Sequence, residues 1–267
     1  MAGRDVQAAR DHAYSPSRFA RGVEATLARQ AHAGRALAAR HRPLELVDGD
    51  DADARLDLFL PEGVSGRMSE SEGGGSWPLM AFIHGGYWQE LDHTASDFLA
   101  ERYLARGMAF ASLGYGLAPG TAIETMIAQC ARGLAMAREA LEARGGAGRV
   151  ILGGHSAGAQ LACRVAAEAK GEVDELLLVS GVYDLTPLVD TYINAPLGLD
   201  RTRARALSPR FGDLAGLPPC RVVIAERDPP AFRSQGRDFA VALEAAGGVV
   251  ELTDLAGCDH FDVLDHL

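Results

Sequence analysis

The chain has 267 residues, enough for one large domain, and 48% of them are hydrophobic, so a sizeable core is available. Its formal net charge is −10 and no Lys/Arg cluster is dense enough to track a phosphate backbone, which excludes a nucleic-acid face. No basic stretch leads into an apolar segment at the start and no apolar run is long enough to span a bilayer, so neither a signal peptide nor a membrane helix is expected.

In chain order, residues 17–41 read as an amphipathic helix with Phe19, Val23, Leu27 and Leu37 among basic and Ala positions. Residues 1–45 together form an expected N-terminal helical segment, a candidate cap. Arg55 to Leu60 alternates, placing Leu56, Leu58 and Leu60 on one face of a strand. Residues 63–76 are polar and rich in Gly and Ser, and read as a flexible surface loop inside one domain. Apolar strands are then expected at Leu79–Ile83, Met108–Leu113, Val150–Gly153, Leu176–Ser180, Val222–Ala225 and Val249–Leu252. Helical patterns lie near 94–106, 123–144, 157–169 and 230–246. Wholly apolar strands alternating with helices predict an α/β fold: a single domain over 1–267, with a mostly parallel sheet covered on both faces.

Two motifs carry chemistry. The strand at Val150 runs into Gly154-His155-Ser156-Ala157-Gly158, and a helical pattern follows. A G-x-S-x-G between strand and helix forces a tight, strained turn that lifts the Ser156 hydroxyl clear of the sheet. The bland alternative is a small-residue turn that lets a helix pack closely. Earlier, the strand Leu79–Ile83 ends in His84-Gly85-Gly86-Tyr87-Trp88. Glycines just past a strand let backbone N–H groups approach a substrate, so Gly85 and Gly86 are candidate oxyanion donors beside the Ala157 N–H. The competing reading is a Gly-Gly hairpin turn with two exposed aromatics. Tyr87 and Trp88 are expected to wall the pocket, and Tyr115, Tyr192 and Phe232 are weaker candidates.

A serine needs a base, and the base an orienting acid. In hydrolases built on this turn the acid and then the histidine follow the nucleophile along the chain. Only His260 and His266 follow Ser156, and His260 is favoured because it lies just after the last strand while His266 is next to the terminus. His84 and His155 read as structural hydrogen-bonders. The acid is Asp228 or Asp184, each just past a strand, with Asp228 favoured for its nearness to the histidine loop. Asp254, Asp259 and Asp262 read as solvated loop charges. Cys130, Cys163, Cys220 and Cys258 have no C-x-x-C spacing and read as free thiols of a reducing, cytoplasmic setting. Nucleotide-binding glycine patterns and a histidine pair for a metal are absent from the sequence, so no cofactor and no metal is expected.

The HGGYW motif, the GGHSAG turn, the ERDPPAFRSQ stretch and the late DHF resemble the arylformamidase, or kynurenine formamidase, group of α/β-hydrolases, relatives of the hormone-sensitive-lipase-like esterases. The resemblance runs from about Tyr14 and includes Tyr14-Ser15-Pro16 and residues 180–188. It implies a Ser156, Asp228, His260 triad, oxyanion donors at Gly85, Gly86 and Ala157, and cleavage of an N-formylkynurenine-like aryl formamide in tryptophan catabolism. One departure is Gly158-Ala159-Gln160, where members often carry a second Gly and a His, which bears on the helix start and the nearby pocket wall. A carboxylesterase for small acyl esters is the main alternative. A dead hydrolase fold serving as a binding module is opposed by the intact set of three residues. The expected partner is a small-molecule substrate, with no nucleic acid and no membrane, and a homodimer stays open.

Overall fold

The computed structural model describes residues 2–49, 51–61 and 76–267. In chain order the elements are α1 (Ala2–Ala13), α2 (Val23–His41), β1 (Leu44–Asp48), β2 (Asp51–Phe59), β3 (Trp77–Ile83), α3 (Ala100–Leu104), β4 (Ala109–Leu113), α4 (Ile123–Glu142), β5 (Ala147–His155), α5 (Ala157–Glu168), β6 (Glu175–Val179), α6 (Asn194–Leu197), α7 (Arg201–Leu207), β7 (Cys220–Ala225), α8 (Pro230–Ala245) and β8 (Val250–Leu255). The eight strands form one sheet in the order β1-β2-β4-β3-β5-β6-β7-β8. From β4 to β8 every pairing is parallel, whereas β1 with β2 and β2 with β4 are antiparallel.

Strands β3, β4 and β5 are apolar because helices cover both faces. Leu79, Ala81 and Ile83 point into one buried cluster with α4 and α5, and Met80 and Phe82 into another with α2 and α3. Each fully buried Leu or Ile contributes roughly 1.5–3 kcal/mol. The edge strands alternate instead, and sequence reading missed the first of them. In Leu44-Glu45-Leu46-Val47-Asp48 only one face is covered, so a run this short carries little apolar signal.

Several boundaries moved for local reasons. The single helix expected over 17–41 is divided: a 3-10 turn at Pro16–Arg18, then α2, with Gly22 at φ 68° between them. The helix expected near 94–106 is mostly a 3-10 turn, His93–Leu99, capped by Asp92, which accepts from the Thr94 N–H at 2.9 Å. Helix α1 falls within the expected N-terminal helical segment, whereas α6 and α7 were not foreseen. The loop expected at 63–76 lies outside the described residues except for Ser76. All four cysteines are buried and unpaired. No helix among the described residues is long and apolar enough to cross a membrane.

The register decides where function can sit. Ile83 of β3 lies beside Gly154 of β5, His155 of β5 beside Val179 of β6, and β7 and β8 continue the same edge. The segments that leave these strands therefore emerge side by side at the carboxyl edge: 84–88, Ser156, Ser180, 226–228 and 256–261.

Candidate active site

The turn between β5 and α5 has the geometry the sequence predicts. Ser156 adopts φ 55° and ψ −118°, a conformation costly for a residue with a side chain. It is held there by its own N–H, which donates to Val179 O at 2.8 Å. The flanking glycines are required by close backbone approach. A Cβ on Gly154 would lie 2.2 Å from Gly158 O, and one on Gly158 would lie 2.1 Å from Ile83 O. No flexible side chain is there to yield.

The loop after β3 wraps over this turn. Gly86, at φ 100°, turns the chain back so that its carbonyl accepts from the Gln89 and Glu90 N–H groups at 2.9 and 3.0 Å. A Cβ at Gly86 would meet Glu90 O at 2.2 Å. Tyr115 ties the loop from below, donating from its hydroxyl to His84 O and Gly85 O at 3.1 and 3.0 Å. Neither the Gly85 nor the Gly86 N–H is used in a hydrogen bond among the described residues. The Ala157 N–H, in the first turn of α5, has no acceptor within its helix.

Asp228 and His260 meet in the interior, with His260 Nδ1 2.6 Å from Asp228 Oδ1 and side chains 3% and 0% exposed. The other carboxylate oxygen accepts from Ser180 Oγ at 2.5 Å and from the Ala225 N–H at 3.0 Å. Burial pushes this carboxyl up, but the charge and hydrogen bond of His260 and the Ser180 and Ala225 donors outweigh it, so it is held below the ordinary value. Asp184 is engaged elsewhere, accepting from the Thr186 N–H and hydroxyl at 2.8 and 2.6 Å. His266 is exposed near the end of the chain.

The two motif histidines hold backbone. The His155 ring donates from Nε2 to His260 O at 2.8 Å, and His84 from Nδ1 to Gly85 O at 2.8 Å. Burial drives their pKa values down to about 3 and about 4, so both are neutral near pH 7. Phe232 stands edge-on to the His260 ring at 5.0 Å.

Ser156, His260, Gly85, Gly86, His84 and His155 line a cavity of about 320 Å³. Tyr87 and Tyr192 line it too. Trp88 does not, which corrects the expectation that it walls the pocket. It is fully buried, and its indole N–H donates to Gln160 Oε1 at 3.0 Å, while Gln160 Nε2 donates to Leu207 O at 2.9 Å. Gln160, where this chain departs from the family pattern, thus anchors the indole to the end of α7. An indole N–H needs a buried acceptor, and that requirement draws the ring inward.

Asp259 is a second correction. Expected as a solvated charge, it is 1% exposed and braces the histidine loop. Its oxygens accept from Phe261 N at 2.9 Å, Asp262 N at 3.2 Å and Arg21 N at 2.9 Å. The N-terminal segment also contributes cavity wall at Pro16, Ser17, Val23, Leu27 and Gln30. Sequence reading missed Ser180 and Gln30 as parts of the site. Ser180, directly after β6, carried a usable signal in its place at the carboxyl edge, and Gln30 carried none.

A model of the alpha/beta hydrolase fold family matches residues 80–263. A kynurenine formamidase of Danio rerio is 31% identical over 272 residues, spanning 95% of this chain and 89% of that protein. One of Salmo salar is 30% identical, spanning 84% and 76%. Among solved structures, a protein of Silicibacter sp. tm1040 superposes with a TM-score of 0.82 at 25% identity, over 96% of this chain and 93% of that one. A bacterial heroin esterase gives 0.66 at 25% identity, over 93% and 87%. With its strand-turn-helix serine and eight-stranded sheet, the chain belongs to the α/β hydrolase family and is a hydrolase of the kynurenine formamidase-like group, related to the hormone-sensitive-lipase-like esterases.

Proposed function

We propose that the chain is a cofactor-free serine hydrolase that cleaves small aryl formamides of the N-formylkynurenine kind. The observation that carries the reading is the buried 2.6 Å pair of His260 and Asp228, whose His260 lines the same cavity as Ser156. Ser156 Oγ attacks the formyl carbon while His260 Nε2 takes its proton, and Asp228 holds Nδ1–H and steadies the imidazolium. The unused N–H groups of Gly85, Gly86 and Ala157 receive the oxyanion, each worth on the order of 3 kcal/mol. The tetrahedral intermediate collapses as His260 returns the proton to the departing arylamine. Water, deprotonated by His260, then releases formate and restores Ser156.

The cavity supports a small substrate. About 320 Å³ is at the low end for ligand pockets and suits one aryl group better than a long acyl chain. Tyr87 and Phe261 give it aromatic wall, and the N-terminal segment acts as the cap that limits its depth. On this reading the enzyme is cytoplasmic and acts on a small molecule, with no nucleic-acid or membrane partner. A second reading, a carboxylesterase for small acyl esters, is favoured by the likeness to the heroin esterase.

The test compares kcat/KM for N-formylkynurenine with p-nitrophenyl acetate, butyrate and octanoate, with Ser156→Ala as control. The formamide should be preferred, octanoate should be poorest, and Ser156→Ala should lose several orders of magnitude on all of them. Ester turnover without formamide cleavage moves the assignment to the second reading. Near-normal turnover by Ser156→Ala ends both.

A further inference from the structure

One polar group in the cavity wall has no part in the chemistry above. Gln30, on α2, is 4% exposed and lines the cavity. Its amide nitrogen donates to Phe261 O at 3.0 Å and lies 3.4 Å from Asp265 Oδ1. A backbone carbonyl and a carboxylate only accept, so the nitrogen must face the histidine loop and the oxygen must face away from it. No hydrogen bond among the described residues uses Gln30 Oε1, and this oxygen is not among the polar atoms sealed in the core. Gln30 lines the cavity, and with its nitrogen held by the loop the oxygen is the amide atom left free for a ligand. Among the described residues, Glu90, at the exposed mouth, is the single carboxylate that lines the cavity, and no lysine or arginine lines it. A ligand that donates hydrogen bonds therefore finds acceptors and meets no competing cation. Gln30 also lies outside the 80–263 stretch shared with the family at large.

We propose that Gln30 Oε1 is a specificity-determining acceptor that reads an N–H or ammonium donor on the leaving group, with Glu90 at the mouth favouring positive over negative charge. The proposal rests on the acyl-transfer reading and narrows its substrate class to aminoaryl leaving groups. An apolar group of the same shape would bury Oε1 unpaired, which is how a polar site rejects an isostere.

The experiment measures kcat/KM for the three aminophenyl acetates against the three methylphenyl acetates, in wild type, Gln30→Met and Gln30→Glu. Comparing the amino-to-methyl ratio between proteins cancels differences in intrinsic reactivity. It also cancels any general damage from losing the bond to Phe261, because both substrates suffer it equally. For at least one ring position the ratio should fall about fivefold or more in Gln30→Met, the worth of one neutral hydrogen bond. Gln30→Glu loses the same donor to Phe261 but keeps an acceptor facing the cavity, so it should retain the amino preference. If both series are cleaved in a Ser156-dependent way and the ratio is the same in all three proteins, Gln30 only positions the loop and the proposal falls alone. If wild type cleaves neither series, the same ratios are read on the aminoformanilides and methylformanilides, and failure on these as well brings down the acyl-transfer reading and the proposal with it.

Discussion

Asp228→Asn isolates what the carboxylate does, because the structure dictates how the asparagine must sit. One oxygen of Asp228 faces the Ala225 N–H at 3.0 Å, and a backbone N–H can only donate. The asparagine must therefore place its oxygen there and turn its NH2 toward His260 Nδ1, now 2.6 Å from Asp228 Oδ1. Facing a donor, the imidazole becomes an acceptor at Nδ1 and carries its proton on Nε2. That nitrogen can no longer take the proton of Ser156. The packing survives, since the Ser180 hydroxyl can still donate to the asparagine oxygen and no volume changes. The expected loss in kcat/KM is about 10³–10⁴-fold, roughly 4–5.5 kcal/mol of transition-state stabilisation. The assay is steady-state hydrolysis of p-nitrophenyl acetate from pH 6 to 9, with urea unfolding to confirm a folded protein. Asp184→Asn is the comparison, and it should cost no more than a few-fold, because Asp184 only caps a turn at Thr186. A folded Asp228→Asn protein within tenfold of wild type would refute the tautomer argument. So would an Asp184→Asn protein that is the worse of the two.

Two further outcomes are expected. Trp88→Phe removes the only donor to Gln160 Oε1 among the described residues, in a wholly buried site, so the urea midpoint should fall by the equivalent of about 1–3 kcal/mol while KM stays within about twofold. A raised KM at unchanged stability would return Trp88 to the pocket wall. Asp97, in the turn under α2, has its pKa raised from 3.8 to about 7, chiefly by burial and further by Asp57, against the bond from Ser112. Between those values the folded state holds a proton that the unfolded chain releases. Its contribution to stability is thus full below about pH 4 and is lost as pH rises toward 7, by up to about 1.4 kcal/mol per unit. Asp97→Asn should therefore gain stability relative to wild type at pH 8 and lose that advantage near pH 4, and equal gains at both pH values would contradict this.

Much of the site was legible because its chemistry demands particular residues in a local pattern. Ser156 is flanked by glycines since a backbone carbonyl lies about 2 Å from where either Cβ would be, and such a demand is written at fixed spacing. Strands β3 to β7 were legible because both faces are covered and each reads as a continuous apolar run. His260 could be named because few histidines follow Ser156, and the choice of Asp228 over Asp184 was favoured by chain order. The meeting of Asp228 with His260, however, depends on how β7 and β8 align at the sheet's edge. The direction of Trp88 and the burial of Asp259 were decided by partners 72 and 238 residues away, Gln160 and Arg21. Gln30 joined the cavity wall only when α2 folded over the loop that carries His260. A contact between distant segments leaves no periodicity in either of them. Local sterics and burial are therefore determined along the chain, while the cavity's shape and polar lining exist only once its segments are packed together.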